Sequence, residues 1–78
     1  MPTKAEQLAL ARQHVRAAEL RVQNQATLIK MLRHDNYDSK LAEVMLAEYR
    51  RVLAQVFEQL DRLQREQGDE EKTTRQAS

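Results

Sequence analysis

The chain has 78 residues, no cysteine and a formal net charge of +1, with 41% hydrophobic and 32% charged residues. This composition excludes disulfides and thiolate metal sites, and it lacks the strong basic excess of a dedicated nucleic-acid arm. A chain this short has difficulty burying a sufficient core, so oligomerisation or very regular helix packing is expected to stabilise it. One glycine and one proline in the whole sequence predict long helices.

The first predicted helix covers residues 4 to about 35. Thr3 precedes it as a potential N-cap, and Glu6 follows three residues later, as in a capping box. Apolar or small residues then recur at alternating steps of three and four, like the a and d positions of a coiled coil. This seam comprises Leu8, Ala11, Val15, Ala18, Val22, Gln25, Ile29 and Leu32. Its polar member, Gln25, is expected to hydrogen-bond to Tyr49 of the second helix.

Turn-forming residues separate the two helical patterns at 36–38. Asn36 fits the left-handed residue that follows a helix C-terminus, because asparagine tolerates a positive φ better than most residues. Asp38 is a good N-cap for the next helix, and Ser39 is an alternative cap one residue later. Because the loop is short, the helices are expected to be antiparallel neighbours.

The second predicted helix covers residues 39 to about 67, so that the hairpin comprises residues 1–67. Its predicted seam also steps by three and four and comprises Ala42, Met45, Tyr49, Val52, Val56, Gln59 and Leu63. Gly68 is expected to follow the helix as its C′ residue. Residues 68–78 are polar and lack periodicity, so a disordered tail is predicted there.

Both helices carry apolar residues outside their predicted seams. A lone hairpin would leave these side chains in water, and a contiguous apolar surface usually marks an interface. The sequence therefore predicts an all-α, antiparallel, coiled-coil-like two-helix hairpin that dimerises into a four-helix bundle, with a different protein as the alternative partner. Parallel and antiparallel arrangements of the two hairpins are both compatible with it. The predicted interface comprises Leu10, Ala17, Leu28, Met31, Leu46, Leu53 and Phe57.

The reactive side chains form no recognisable catalytic or metal-binding motif. The two histidines, His14 and His34, are far apart, and the carboxylates beside His34 lack helical ligand spacing. The sequence has no nucleophile motif and no glycine-rich phosphate loop, and so small a hairpin has no deep pocket of its own. We therefore expect a protein that is not an enzyme and needs no metal, cofactor or small-molecule substrate.

Three basic residues, Arg12, Arg16 and Lys30, share one side of the first helix. Such a stripe can follow the phosphates of a nucleic acid, as a helix face of a ROP-type bundle does with RNA. Glu19 interrupts the stripe, and no aromatic residue is interleaved for base stacking. A solvated helix face is the simpler interpretation, and a ROP-like RNA-binding dimer is the second functional hypothesis.

The first hypothesis is a small non-catalytic protein–protein interaction module, namely an adaptor, regulator or assembly component that acts through a helical-bundle surface. The N-terminal residues lack the apolar core of a secretory signal, and no apolar run approaches membrane-spanning length. A cytoplasmic location without membrane association is expected.

The middle third of the chain resembles a pattern of small proteobacterial helical-hairpin proteins of unknown function. The family pattern is Q-x-x-L-I-x-x-L-x-x-x-G-x-D-[TS]-x-x-A-x-x-L-L, and its counterpart here runs from Gln25 to Leu46. Asn36 stands where the pattern has glycine and Met45 where it has leucine, and a turn and a core accept these substitutions. The resemblance implies a bacterial origin and a hairpin, and it brings no activity or functional residues.

Overall fold

The computed structural model of the chain describes residues 1–77, with side chains as far as Glu66. It consists of two α-helices, α1 over Lys4–His34 and α2 over Lys40–Ala77. The helices pack against each other in an elongated molecule of 65 × 18 × 16 Å. The described chain is therefore all-α, as the sequence predicts.

The two helices run in opposite directions. Near the turn, Ile29 of α1 and Leu46 of α2 line the same groove. Farther from the turn, Ala18 of α1 and Val56 of α2 line another. Distance from the turn thus increases together on both helices, which is the geometry of the predicted antiparallel hairpin.

The N-terminus of α1 is capped by Thr3. Its backbone is extended, with φ −67° and ψ 167°, and its side-chain oxygen accepts a hydrogen bond from the Glu6 N–H at 3.1 Å. This bond satisfies one of the N–H groups that a helix start leaves without a partner. The carboxylate of Glu6 in the first turn also suits the positive end of the helix dipole. The predicted cap is confirmed.

The turn is built on a left-handed Asn36, whose φ is 61°. The Tyr37 N–H donates to the Leu32 carbonyl at 2.8 Å, and the Asn36 N–H donates to the Arg33 carbonyl at 3.2 Å. These two bonds form a Schellman motif, which satisfies carbonyls at the end of α1 and reverses the chain. The role predicted for Asn36 is confirmed, and α1 ends at His34.

Two residues share the capping of α2. A side-chain oxygen of Asp38 accepts a hydrogen bond from the Lys40 N–H at 3.0 Å. The backbone carbonyl of Ser39 accepts from the Glu43 N–H at 2.9 Å and so begins the helical ladder. The two alternatives that the sequence leaves open are thus both used, one through its side chain and the other through its backbone.

The seam of α1 lies where the sequence predicts it. Six of its members are buried, and they are Leu8, Ala11, Val15, Ala18, Gln25 and Ile29. The remaining two, Val22 and Leu32, are half-buried. Alanines at two of these positions let the backbone of α2 approach closely.

In the seam of α2, every second position lies one residue later than predicted, at 46, 53 and 60 in place of 45, 52 and 59. Met45, Val52 and Gln59 are exposed, although the predicted seam includes them. Apart from Glu43 and Gly68, the residues that are buried or half-buried along the described part of α2 are Ala42, Leu46, Tyr49, Leu53, Val56, Leu60 and Leu63. Both seams have heptad spacing, but the observed one covers three leucines instead of methionine, valine and glutamine. It removes more apolar surface from water and leaves the Gln59 amide solvated.

Gln25 is the buried polar residue of the interface between the helices. Its side-chain amide donates to the backbone carbonyl of Ala42 at 2.9 Å. The predicted hydrogen bond to Tyr49 is therefore wrong. The small side chain of Ala42 leaves its carbonyl accessible, and a carbonyl oxygen has a second lone pair beside the one used in the helix.

Helix α2 continues through Gly68 to Ala77, beyond the end predicted at about residue 67. Gly68 does not have the positive φ of a C′ residue, so the predicted role is wrong. A glycine within a helix costs only about 1 kcal/mol relative to alanine, which flanking helix formers can offset. The predicted tail, 68–78, thus coincides with helix as far as Ala77. Its side chains from residue 69 onward and all of Ser78 lie outside the described part.

The left-handed conformation of Asn36 makes the turn sensitive to substitution. Asn36→Ala should lower the free energy of unfolding by about 1 kcal/mol, because a Cβ without a compensating polar group disfavours positive φ. Asn36→Gly should equal or exceed the original stability. Urea unfolding followed by circular dichroism at one fixed protein concentration measures both changes. Equal stability of the alanine and glycine variants would contradict a strained turn.

Candidate functional site

One side of the hairpin carries an open apolar groove of about 210 Å³. Its floor is made of small and aliphatic side chains from both helices, with the Tyr49 ring at one wall. His14 and Arg21 stand at the α1 edge. The lining residues are His14, Ala17, Ala18, Arg21, Tyr49, Val52 and Val56.

The groove continues into exposed apolar residues along both helices. On α1, Leu10 precedes Ala17 by one heptad, and Leu28 follows Arg21 by one heptad. On α2, Met45 precedes Val52 by one heptad. Heptad neighbours lie on the same side of a helix, so these residues extend the groove along the hairpin. We call this surface the front face, and its exposed apolar members outside the groove are Leu10, Leu28, Leu41 and Met45.

The opposite side, which we call the back face, has a second groove with a charged rim. Ala26, Ile29 and Leu46 form its apolar floor. Lys30, Arg33, Glu43 and Arg50 surround that floor, and Ala47 completes the lining. Arg33 forms an ion pair with Glu43 across the two helices, and both side chains are exposed. A rim of this kind is well solvated, so the back face is less suited than the front face to burial against an apolar partner.

The predicted interface residues separate into several groups. Of those on α1, Ala17 lines the front groove and Leu10 and Leu28 extend it by heptad spacing, whereas Met31 is exposed beside Lys30 and His34 near the turn. Leu46 and Leu53 are half-buried in the observed seam of α2 instead. Phe57 is exposed and lies one heptad after Arg50, which places it on the back face. The structure therefore does not bring the seven predicted residues into one surface.

Leu41, Met45 and Val52 are the α2 residues of the front face that the sequence analysis did not assign to an interface. They were missed because the predicted seam of α2 used Met45 and Val52 for packing against α1. A comparison of the two possible heptad seams by leucine content would have identified them, since the seam with more leucine buries more apolar area.

The histidines are not placed together. His14 lies at the front groove beside Arg21, whereas Nδ1 of His34 is 3.2 Å from a carboxylate oxygen of Asp35 at the turn. Across the residues described, no group of three or more potential metal ligands occurs. Asp38, the other carboxylate near His34, accepts the Lys40 N–H instead.

The predicted basic stripe lies toward the back face. Arg12, Arg16 and Lys30 are exposed, and Lys30 reaches the rim of the back groove, near Arg33 and Arg50. Arg12 and Lys30 are five helical turns apart on one side of α1. The structure thus adds Arg33 of α1 and Arg50 of α2 to a stripe that the sequence places on α1 alone.

Among the described helices, none combines the length and the hydrophobicity that crossing a membrane requires. Comparison with protein families, curated proteins and solved structures finds no match to this chain. The resemblance to small proteobacterial hairpin proteins, and the bacterial origin that it implies, therefore remain predictions.

Proposed function

We propose that this chain is a small non-catalytic protein–protein interaction module, an adaptor, regulator or assembly component that acts in the cytoplasm through a helical-bundle surface. The observation that carries the proposal is the front face, an exposed apolar surface that both helices contribute to and that the hairpin itself does not cover. Its first partner is a second copy of the chain, with which it forms a four-helix bundle. The solvated outer surfaces then remain for a further protein.

The size of the front face supports a second copy as the partner. Residues 10–31 of α1 span about 33 Å at 1.5 Å per residue. With a molecular width of 18 Å, the face covers roughly 600 Å², so a symmetric pair would bury on the order of 1,200 Å². This is at the lower end of the area of specific interfaces, so a dimer that dissociates on dilution is expected.

The alternative function, a ROP-like dimer that binds RNA, rests on a different observation. Lys30, Arg33 and Arg50 meet around the back groove with Glu43 as the one acidic residue of its lining. Together with Arg12 and Arg16 they form a basic surface opposite the front face. A dimer joined through its front faces would leave this surface free to contact phosphates.

Light scattering across a dilution series tests self-association. The protein should have about twice the 9.1 kDa mass of the chain at high concentration, and Leu28→Asp should shift it to the monomer. Phe57→Asp is the matched control, because Phe57 is 45% exposed and Leu28 is 43% exposed, but Phe57 lies on the back face. A monomer at every concentration, or a monomer only with Phe57→Asp, would overturn the assignment of the front face.

Titration of a fluorescent RNA at low salt tests the alternative. If the basic surface binds phosphates, affinity should fall steeply with salt, and Arg12→Glu with Arg16→Glu should reduce it more than tenfold. The control pair, Arg51→Glu with Arg62→Glu, makes the same change in net charge but lies on α2, away from the predicted stripe. Absence of binding at low salt, or equal losses in both variants, would reject a specific basic site.

A further inference from the structure

We infer that the two copies associate as parallel hairpins, with both turns at the same end and α1 of each copy packed against α2 of the other. This inference rests on the proposed self-association and adds its orientation, its register and a specific ion pair. The two-fold axis runs along the bundle, so every contact between copies occurs twice. Each helix is then antiparallel to both of its neighbours.

The front face has a heptad seam on each helix. On α1 its positions are Leu10, His14, Ala17, Arg21, Asn24 and Leu28. On α2 they are Leu41, Met45, Glu48, Val52, Gln55 and Gln59. Both seams alternate steps of three and four, and antiparallel coiled-coil helices can meet only in registers separated by one heptad. A small number of arrangements therefore needs to be compared.

One register places complementary side chains opposite each other. Arg21 faces the partner's Glu48, so that opposite charges meet. Ala17 faces the partner's Val52, a small residue against a larger one. Leu28 faces the partner's Leu41. This contact covers Leu41, which is 74% exposed in the hairpin alone. The same register thus pairs opposite charges, complementary sizes and two leucines, and it places Leu10 opposite the partner's Gln59.

Within one hairpin, the distances of these residues from the turn agree with this register. Residues 14–21 of α1 and 49–56 of α2 line the same groove, so Ala17 and Val52 lie at about the same distance from the turn. A two-fold axis along the bundle preserves these distances, so Ala17 of one copy comes level with the partner's Val52. The pairing needs no sliding of one hairpin along the other.

The antiparallel arrangement of hairpins is less complementary. In its best register, Leu10 faces the partner's Leu28 and Leu41 faces the partner's Gln59. The parallel register has the same balance, since Leu28 faces the partner's Leu41 and Leu10 faces the partner's Gln59. In the antiparallel register, however, Arg21 faces the partner's Ala17 and has no acidic counterpart. The two arrangements therefore differ in the charged pair, which only the parallel arrangement forms. The parallel arrangement also brings together the leucines and methionines that each copy exposes near its turn.

In the isolated hairpin, both members of the proposed ion pair are available. Arg21 lies at the rim of the front groove and is exposed. Glu48 has a carboxylate oxygen 3.5 Å from a guanidinium nitrogen of Arg51, and both side chains are largely exposed. A solvated contact of that length is weak. Partial burial between two copies would favour the Arg21–Glu48 pair over it.

A charge reversal tests the ion pair. Arg21→Glu should weaken dimerisation about tenfold, because two attractions become two repulsions. Combining Arg21→Glu with Glu48→Arg should restore most of the affinity, measured by analytical ultracentrifugation. Arg16→Glu, which changes the charge on another side of α1, is the control. Failure of the double variant to recover would overturn the proposed pairing, since a nonspecific charge effect does not predict recovery.

Introduced cysteines test orientation and register, because the natural chain has none. Leu28→Cys protein is mixed in equal amounts with Leu41→Cys protein, and separately with Leu10→Cys protein, and each mixture is oxidised mildly. Parallel hairpins should give covalent heterodimers in the first mixture and few in the second, as read by mass spectrometry. Each variant oxidised alone gives the background.

The outcomes separate this inference from the proposed function. A predominant Leu28→Cys and Leu10→Cys product would overturn the parallel arrangement and retain the dimer. If the protein is dimeric before oxidation but neither mixture gives covalent heterodimer above background, the register alone would be overturned. Monomeric mass of the unmodified protein would overturn self-association itself, and the inference with it.

Discussion

In a two-helix hairpin, each helix can bury only one stripe of its surface against the other. This limit determines which side chains are buried and which remain exposed. The interface between α1 and α2 buries a heptad seam that begins at Leu8 and is closed near the turn by Ala42. None of the described side chains is enclosed almost completely, which a third element would be needed to achieve. Apolar residues beside the seam therefore remain exposed. Burial of these residues against another molecule would add to the stability of a hairpin of this size.

The local features were predictable because each depends on few residues with strong preferences. Thr3 and Asn36 act as expected, since a hydroxyl cap and a left-handed asparagine are decided by neighbouring backbone groups. The α1 seam was predictable because few alternative residues compete for it. The α2 seam was not, because its apolar face is wide enough for two heptad patterns that share Ala42, Tyr49, Val56 and Leu63. Only the packing against α1 selects the leucine-rich pattern, and the positions that it rejects become the front face.

The buried Gln25 shows how such a hairpin can keep one register. Its amide reaches the Ala42 carbonyl near the start of α2, and no buried side-chain polar atom in the described part lacks a partner. A slip of one heptad that brings Tyr49 to the place of Ala42 would put a large side chain beside the carbonyl and leave less room for the amide to reach it. Polar residues inside coiled coils fix register in this way at some cost in stability.

The same logic applies to the surface between copies. Leu28, Leu41 and Val52 would supply apolar area, but such contacts alone tolerate several registers. Arg21 and Glu48 add direction, because opposite charges meet in the parallel arrangement and are separated in the antiparallel one. In the proposed dimer, whose interface is near the lower size limit, their contribution would be large relative to the total, so association would be sensitive to salt and concentration. A dimer of this kind can exchange its subunits, and the surface that joins two copies also becomes available to a different helical partner with an equivalent pattern of leucine and acidic residues.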